Sequence, residues 1–268
     1  MIDDRSALLD LAVAVAAEAG RLVRERREAV AEMAIAATKT TPTDVVTESD
    51  TASEALIRDR LLAVRPQDGL LGEEGASVTG RSGVVWVVDP IDGTVNYLYG
   101  IPQYAVSIAA QIDGHVVVGV VHNPVSGETW TATRGAGAAL DGRPVHESGC
   151  DLLDHALVAT GFGYDARRRA WQAEVLRHVV TRVRDIRRAG AASLDLCAVA
   201  TGRVDAYYER GLKPWDLAAG GLVAEEAGVM VTGLRGAPAG ENLVIAAGPA
   251  LFGALHDLLE PLGPDRDE

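Results

Sequence analysis

The sequence predicts an α+β protein whose two halves differ in pattern. In the first half, apolar residues at helical spacing are followed by β-branched runs, which indicates helices and then a sheet. In the second half, short strand-like runs alternate with helical ones, as in an α/β layer. Since no internal repeat or low-complexity linker separates the halves, we expect them to pack closely. We place the boundary between a part spanning 1–145 and a part spanning 146–268.

Two helices are predicted before the first sheet. The first carries one apolar face, formed by Leu8, Leu11, Val15, Ala19 and Leu22. The segment 39–44, which contains a proline, ends it. Thr51 and Glu54 then form a Thr-x-x-Glu pattern, which predicts a capping box at the start of a second helix. Pro66 and Gly69 end that second helix.

The remaining elements follow from short apolar runs and turn residues. The run 84–88 predicts a buried strand that ends at Asp89-Pro90. Asp113-Gly114 predicts a hairpin turn between strands at 104–112 and 116–121. The predictions for the second half are strands at 157–159, 204–207 and 243–245 and helices at 171–179, 191–200 and 216–227.

Composition excludes several classes of protein. The 268 residues include 38 acidic and 25 basic side chains, a net charge of −13, which disfavours nucleic acid and acidic membranes as partners. Hydrophobic residues make up 48%, enough for a globular core. Cys150 and Cys197 are too few for a disulfide scaffold or a zinc site. The N-terminus lacks a signal-peptide pattern, and the uncharged stretch 93–112 is a poor membrane span. We expect a soluble cytoplasmic protein.

The hexapeptide 89–94 has a pattern suited to binding a cation and an anion together. Asp89 ends a strand, Pro90 enforces a turn, and Asp92 stands beside a Gly-Thr pair at a possible helix start. Such a turn can direct two carboxylates and a backbone carbonyl at one cation, while the amides of Gly93 and Thr94 remain available for an anion. Asp-Pro and Asp-Gly are also common turn formers, so the hexapeptide alone leaves both interpretations open.

Two further acidic positions make the pattern more specific. Glu73 and Glu74 lie in a glycine-flanked loop, and Asp216 begins an Ala/Gly-rich helix. Taken singly, the loop is typical of a solvated turn and the aspartate of a helix N-cap. Their joint occurrence with the 89–94 motif favours a metal site.

These motifs resemble those of the inositol monophosphatases, in the Mg²⁺-dependent, lithium-sensitive phosphatase superfamily. The matching segments, in the order of the family, are 43–50, 72–74, Asp-Pro-Ile-Asp-Gly-Thr-Val-Asn at 89–96 and Trp-Asp-Leu-Ala-Ala-Gly at 215–220. The resemblance extends from the first helix to about Gly228. It implies a layered αβαβα fold, with a larger N-terminal α+β part that carries most metal ligands, and a homodimer.

The resemblance also implies roles for individual residues. One Mg²⁺ would be bound by Glu73, Asp89 and the carbonyl of Ile91, and a second by Asp89, Asp92 and Asp216. A third, weaker ion would lie near Glu73. Thr94, hydrogen-bonded to Asp50, would orient the attacking water with help from Glu73. Such ions acidify water and neutralise the charge of a leaving alkoxide.

The same resemblance implies a substrate site. Phosphate would contact Asp92, Gly93 and Thr94, and the alcohol would contact Gly190, Ala192 and Glu209, of which Glu209 accepts hydrogen bonds from hydroxyl groups. Lys39 would lie near the site. The expected substrate is a small-molecule phosphate ester, with myo-inositol 1-phosphate favoured. Histidinol phosphate, fructose 1,6-bisphosphate and nucleotide 3′-phosphates remain alternatives.

Two readings from other classes compete with a phosphatase. Gly161, Gly163 and Ala166 form a GxGxxA pattern after a strand, and Asp185 lies where a dinucleotide-binding oxidoreductase places its ribose ligand. Three arginines at 167–169 crowd that helix start, which disfavours this reading. A catalytically silent interaction module is the other reading, but it would be expected to lose metal carboxylates, and these are intact. No HExxH or GxSxG pattern supports a zinc or serine hydrolase.

Overall fold

A computed structural model describes residues 5–29, 37–39, 45–75 and 77–266 of the chain. The helices are α1 (Arg5–Glu28), α2 (Glu48–Val64), α3 (Thr94–Tyr99), α4 (Ala166–Val179), α5 (Ala192–Ala200), α6 (Pro214–Glu226) and α7 (Pro249–Leu259). In this described part, no helix is long and apolar enough to span a membrane. The predicted motif residues Thr43 and Asp44 lie outside the described residues.

The strands form a small ribbon and two larger sheets. Those of the ribbon are β1 (Ala37–Thr38) and β2 (Val45–Val46). Those of the first large sheet are β3 (Gly69–Gly72), β4 (Ser77–Val78), β5 (Val84–Asp92), β6 (Ala105–Ile112), β7 (His115–His122), β8 (Thr129–Thr133), β9 (Gly137–Leu140) and β10 (Arg143–Pro144). Those of the second are β11 (Leu157–Thr160), β12 (Asp185–Arg187), β13 (Ala206–Glu209), β14 (Met230–Thr232) and β15 (Val244–Ala247).

The two large sheets differ in topology. The first has the order β10-β9-β8-β7-β6-β5-β3-β4 and is antiparallel except for the β3–β5 pair. Its β6–β7 hairpin turns at Asp113 and Gly114, whose φ angles are 51° and 77°, as predicted. The second has the order β12-β11-β13-β15-β14, with β11 parallel to both its neighbours and β15 antiparallel to both of its own. The predicted α+β class is confirmed.

Helices and sheets alternate in five layers. Helices α1 and α2 cover one face of the first sheet, where Leu8, Ile57 and Trp86 are fully buried. Its other face packs on α5 and α6, which also cover the second sheet. Helices α4 and α7 close the outer face of that sheet through residues such as Val179 and Leu255. This is the αβαβα arrangement expected, and it places the N-termini of α5 and α6 between the sheets.

Several predicted boundaries were wrong in detail. Helix α4, for example, begins at Ala166 and not at residue 171. The N-cap of α2 is Thr47, whose capping box is closed by Asp50, so the predicted box at Thr51 and Glu54 does not exist. Strand β5 continues past Asp89 to residue 92, with an irregular register between those two positions. Helix α6 begins at Pro214, whose fixed φ suits the first turn of a helix. The division at residue 145 stays a prediction, and β10 and β11 lie on either side of it.

Candidate active site

Two aspartates at the end of β5, Asp89 and Asp92, converge with Asp216 from a distant part of the chain. One oxygen from each of Asp89, Asp92 and Asp216 lies within 4.8 Å of the others. Asp89 and Asp92 are 1% and 7% exposed. Buried carboxylates at this separation repel one another unless a proton or a cation lies between them. The arrangement is therefore suited to binding a metal ion.

The irregular end of β5 directs both of its aspartates to the same place. The amide of Ile91 donates to Asp89 Oδ1 at 3.0 Å, which fixes that carboxylate within the turn. Gly93 then adopts φ 92°, and a Cβ atom there would lie 3.0 Å from the Gln103 carbonyl oxygen. Glycine is thus required at residue 93 both by conformation and by space.

The N-terminus of α5 holds Asp92 in its orientation. Asp92 Oδ2 accepts hydrogen bonds from the Ser193 amide at 2.7 Å and the Ser193 hydroxyl at 2.5 Å. Asp92 Oδ1 accepts one from the Ala192 amide at 3.2 Å. A carboxylate offers about four lone-pair positions. One position on Oδ1 therefore remains for a further ligand.

The N-terminus of α6 supplies the third aspartate of the cluster. Asp216 lies in the first helical turn, and its Oδ2 accepts a hydrogen bond from the Lys213 amide at 2.6 Å. This contact satisfies one of the unpaired amides at the helix start. It also orients the carboxylate toward Asp89 and Asp92.

Glu73 borders the cluster and contacts a lysine. Its carboxyl group lies beside that of Asp89, and its amide donates to the Val88 carbonyl oxygen at 3.2 Å. Lys39 Nζ lies 2.7 Å from Glu73 Oε1 and 2.8 Å from Glu74 Oε1. Burial alone would lower the pKa of Lys39, but the two glutamates outweigh it and the pKa is raised. The lysine thus supplies positive charge at the edge of the cluster.

The electrostatics of the cluster favour an added cation. Burial raises the pKa of Asp89 well above its usual range, and the charges of Glu73, Asp92 and Asp216 raise it further. Burial likewise raises the pKa of Asp216 well above its usual range, followed by the charges of Glu73 and Asp92. These shifts mean that full ionisation without a counter-ion is unfavourable.

Helix α2 anchors both loops of the site. The Thr94 hydroxyl lies 3.1 Å from Asp50 Oδ1 and 3.1 Å from the Ile91 carbonyl oxygen. The Ser53 hydroxyl donates to the Pro90 carbonyl oxygen at 3.2 Å. Further along the helix, Glu54 Oε2 accepts a hydrogen bond from the Glu74 amide at 2.7 Å. Sequence reasoning missed these roles of residues 53 and 54, and their helical spacing from Asp50 was the signal available.

The predicted alcohol-binding residues flank the N-terminus of α5. Ala192 contacts Asp92, and Gly190 adopts φ 92° beside the side chain of Asn96. Glu209, at the end of β13, accepts a hydrogen bond from the Tyr207 hydroxyl at 2.6 Å. Burial raises the pKa of Glu209 to about 7, although the Arg188 charge opposes the shift. The structure thus brings Gly190, Ala192 and Glu209 to the same end of the second sheet.

The segment that suggested a dinucleotide site has its polar groups occupied. Asp165 is the N-cap of α4 and accepts hydrogen bonds from the amides of Arg167 and Arg168, both at 2.9 Å. The Gly163 amide donates to Gln172. Asp185, the expected ribose ligand, pairs with Arg187 at 2.7 Å. The amides that would bind a pyrophosphate are therefore already used, which argues against a dinucleotide site.

The chain is similar to phosphatases over nearly its whole length. The family model described as "Inositol monophosphatase family" matches residues 4–262. An inositol-1-monophosphatase SuhB of Mycobacterium tuberculosis is 48% identical, over 95% of this chain and 93% of its own. The Nus factor SuhB of Escherichia coli K12 is 40% identical, over 85% and 86%. The crystal structure of the Bartonella henselae extragenic suppressor protein suhB superposes with a TM-score of 0.89 at 36% identity, covering 95% of this chain and 98% of its own.

Proposed function

We propose that this chain, which belongs to the inositol monophosphatase family and is a phosphoric monoester hydrolase, acts on the phosphate ester of a polyhydroxylated alcohol, with myo-inositol 1-phosphate as its substrate. The observation that carries the proposal is the buried cluster of Asp89, Asp92 and Asp216. A phosphate dianion cannot approach such a cluster without compensating positive charge. The family is metal-dependent, and the chemistry of these donors fits a hard cation.

We infer that the cation is Mg²⁺, at two or three positions. Carboxylate and carbonyl oxygens are the ligands that Mg²⁺ prefers, and the site offers both kinds. Glu73, Asp89 and the Ile91 carbonyl would hold one ion, and Asp89, Asp92 and Asp216 a second. A third would lie near Glu73, where Lys39 now places its ammonium group. When bound, Mg²⁺ supplies charge that stabilises the phosphoryl oxygens and lowers the pKa of an attacking water.

The chain's own residues position the reactants. The Thr94 hydroxyl donates to Asp50 at 3.1 Å and can accept a hydrogen bond from the attacking water. If a proton passes from that water to Thr94, the hydroxyl hydrogen of Thr94 moves to Asp50, so the threonine stays neutral. Glu73 assists at the opposite side of that water. The amides of Gly93 and Thr94 bind the phosphate oxygens beside Asp92. No side-chain nucleophile is needed, because phosphoryl transfer depends mainly on positioning and charge stabilisation.

Glu209 and the Gly190–Ala192 turn are assigned to the alcohol. Glu209 retains one oxygen that accepts no hydrogen bond from a described residue, and a hydroxyl group of the alcohol would donate to it. The ring of inositol presents hydroxyls on both carbons next to the phosphate ester. An alcohol of this kind satisfies this half-buried acceptor, whereas a plain alkyl group leaves it unpaired.

A panel of esters tests this assignment. We would measure kcat/KM with Mg²⁺ for inositol 1-phosphate, fructose 1,6-bisphosphate, adenosine 3′,5′-bisphosphate, histidinol phosphate and a simple aryl phosphate, in wild type and Glu209→Gln. Wild type should prefer inositol 1-phosphate. Glu209→Gln should lower kcat/KM for inositol 1-phosphate more than for an aryl phosphate, and the difference should correspond to about 1–3 kcal/mol of transition-state stabilisation. Wild-type preference for a bisphosphate, or equal losses on both kinds of ester, would contradict the substrate assignment.

Three finer points are part of the proposal. We infer a homodimer on the strength of family resemblance, which light scattering after gel filtration would measure. We infer a cytoplasmic location from the two unpaired cysteines, Cys150 and Cys197. We retain the division into parts 1–145 and 146–268, which limited proteolysis would test.

A further inference from the structure

We propose that Asp195 is a specificity-determining residue that accepts a second hydroxyl of the substrate alcohol, opposite Glu209. The pair would select esters that carry hydroxyl groups on both carbons next to the ester carbon. This inference rests on the proposed function, since it assigns the alcohol to the same end of α5. No role for Asp195 follows from the metal chemistry described above.

The position of Asp195 on α5 directs its side chain toward the site. It lies three residues after Ala192, whose amide binds Asp92, so the two residues share one face of the helix. Side chains on a helix lean toward its N-terminus. The carboxyl group therefore points to the end of α5 that meets Asp92, where the substrate alcohol would lie.

Asp195 differs from other buried carboxylates in having no partner. It is 3% exposed, yet its side chain makes no hydrogen bond or ion pair with any described residue. Asp68, 2% exposed, is by contrast bound by Ser82, Trp86 and Arg65. The oxygens of Asp195 are nevertheless not completely buried, so a donor group from outside the chain can reach them. An alcohol bound at this end of α5 would supply such a donor.

The surroundings of Asp195 define the chemistry of that donor. After burial, the charges of Glu209 and then Asp92 are the largest influences that raise its pKa, and Arg188 opposes them. Glu209 fits its place only because residue 161 is glycine, since a Cβ atom there would lie 1.8 Å from Glu209 Oε2. Because the charge of Glu209 acts on Asp195, a ligand that binds both carboxyl groups is favoured if it adds no negative charge. A neutral diol provides two hydroxyl donors without adding charge.

The test compares two esters that differ only in hydroxyl groups. Glycerol 2-phosphate carries a hydroxyl on each carbon next to the ester carbon, and isopropyl phosphate carries none. We would measure kcat and KM for both in wild type, Asp195→Asn and Asp195→Glu. The matched control is Asp185→Asn, an exposed carboxylate near Arg188 in sequence that pairs with Arg187. Thermal midpoints and the activity on isopropyl phosphate report whether each variant is folded.

The expected result is a selective loss. Asp195→Asn should lower kcat/KM for glycerol 2-phosphate about tenfold or more, mainly through KM, and leave isopropyl phosphate within about twofold. Asp195→Glu keeps the negative charge in the first turn of α5 but displaces the acceptor oxygens. It should therefore also lose the preference for glycerol 2-phosphate over isopropyl phosphate. Asp185→Asn should change neither ester. These results together would separate hydroxyl binding from a general effect of charge.

Other outcomes would overturn the inference. Equal losses on both esters would assign Asp195 a structural role, and full preference in Asp195→Glu would assign it to stabilising the helix start. An unchanged preference in Asp195→Asn would remove any role in specificity. Wild-type protein inactive on both esters with Mg²⁺ would contradict the proposed function together with this inference. Activity on both esters with an unchanged preference in every variant would contradict this inference alone.

Discussion

The hydroxyl of Thr94 lies 3.1 Å from Oδ1 of Asp50, joining the first turn of α3 to the first turn of α2. Asp50 Oδ2 accepts hydrogen bonds from the amide and hydroxyl of Thr47, the N-cap of α2, at 2.8 and 2.5 Å. Burial raises the pKa of Asp50 to about 6 in spite of these bonds. The residue that caps a helix thus also orients the hydroxyl assigned to the attacking water.

Thr94→Ala is expected to slow the chemical step while leaving metal affinity intact. The variant removes the hydroxyl that we assign to water orientation, and no carboxylate of the cluster is changed. We expect kcat to fall about 100-fold, which is the low end of the rate loss seen when a group that takes part in proton transfer is removed. Steady-state kinetics at saturating Mg²⁺ measures the rate, and calorimetric titration measures Mg²⁺ affinity.

Thr94→Ser is the matched control for that variant. It keeps the hydroxyl and should retain most of the activity. Mg²⁺ affinity reduced in Thr94→Ala as strongly as kcat would show that the residue supports the metal site and not the water.

Gly72→Ala should disturb the loop that carries Glu73. A Cβ atom at residue 72 would lie 2.3 Å from Glu54 Oε2, the acceptor of the Glu74 amide. We expect the free energy of unfolding to fall by about 1–3 kcal/mol, because a buried hydrogen bond is lost or displaced. Gly253→Ala, in α7 with open space around it, is the control and should stabilise by about 0.5–1 kcal/mol. Urea unfolding measures both, and a Gly72→Ala protein as stable as wild type would refute the packing argument.

Glu209 should make stability depend on pH. Its pKa is raised to about 7 from the ordinary 4.5, so the folded state holds the proton more tightly than the unfolded state. The favourable effect is complete below pH 4.5 and is lost as the pH rises to about 7. Glu209→Gln removes this dependence. The thermal midpoint of Glu209→Gln should rise relative to that of wild type as the pH increases from 5 to 8. A difference between the two midpoints that does not change with pH would contradict the raised pKa of Glu209.

Local patterns predicted the fold class and several of its elements, whereas helix α7 and strands such as β8 and β14 were not predicted. Apolar spacing predicted α1, and Asp-Gly predicted the turn between β6 and β7, because each depends on neighbouring residues. The start of α2 was misplaced since both Thr47 and Thr51 stand three residues before an acid. In the structure the N-cap is Thr47, and Asp50, which closes its capping box, also contacts Thr94 from a distant part of the chain.

Some residues of the candidate site were predicted from the sequence and others were missed. Motifs identified Asp89, Asp92 and Asp216, and the structure brings these three together. The partners that orient them were missed, because Ser193 reaches Asp92 across 101 positions of the chain. Asp195 lies in the stretch that resembles the family's alcohol-binding segment, but it was given no role of its own, since an acid in the first turn of a helix is common. Its lack of a partner is visible only once the surrounding side chains are placed.

The most direct test of the central claim is phosphate release from inositol 1-phosphate as a function of free Mg²⁺. We would compare wild type with Asp92→Asn and with Asp154→Asn, an exposed carboxylate away from the cluster. Wild type and Asp154→Asn should be inactive in excess chelator and fully restored by Mg²⁺, whereas Asp92→Asn should need at least about tenfold more Mg²⁺ and remain slow. Phosphate release that persists in excess chelator, or an Asp92→Asn protein with wild-type Mg²⁺ dependence, would contradict metal-assisted hydrolysis at this cluster.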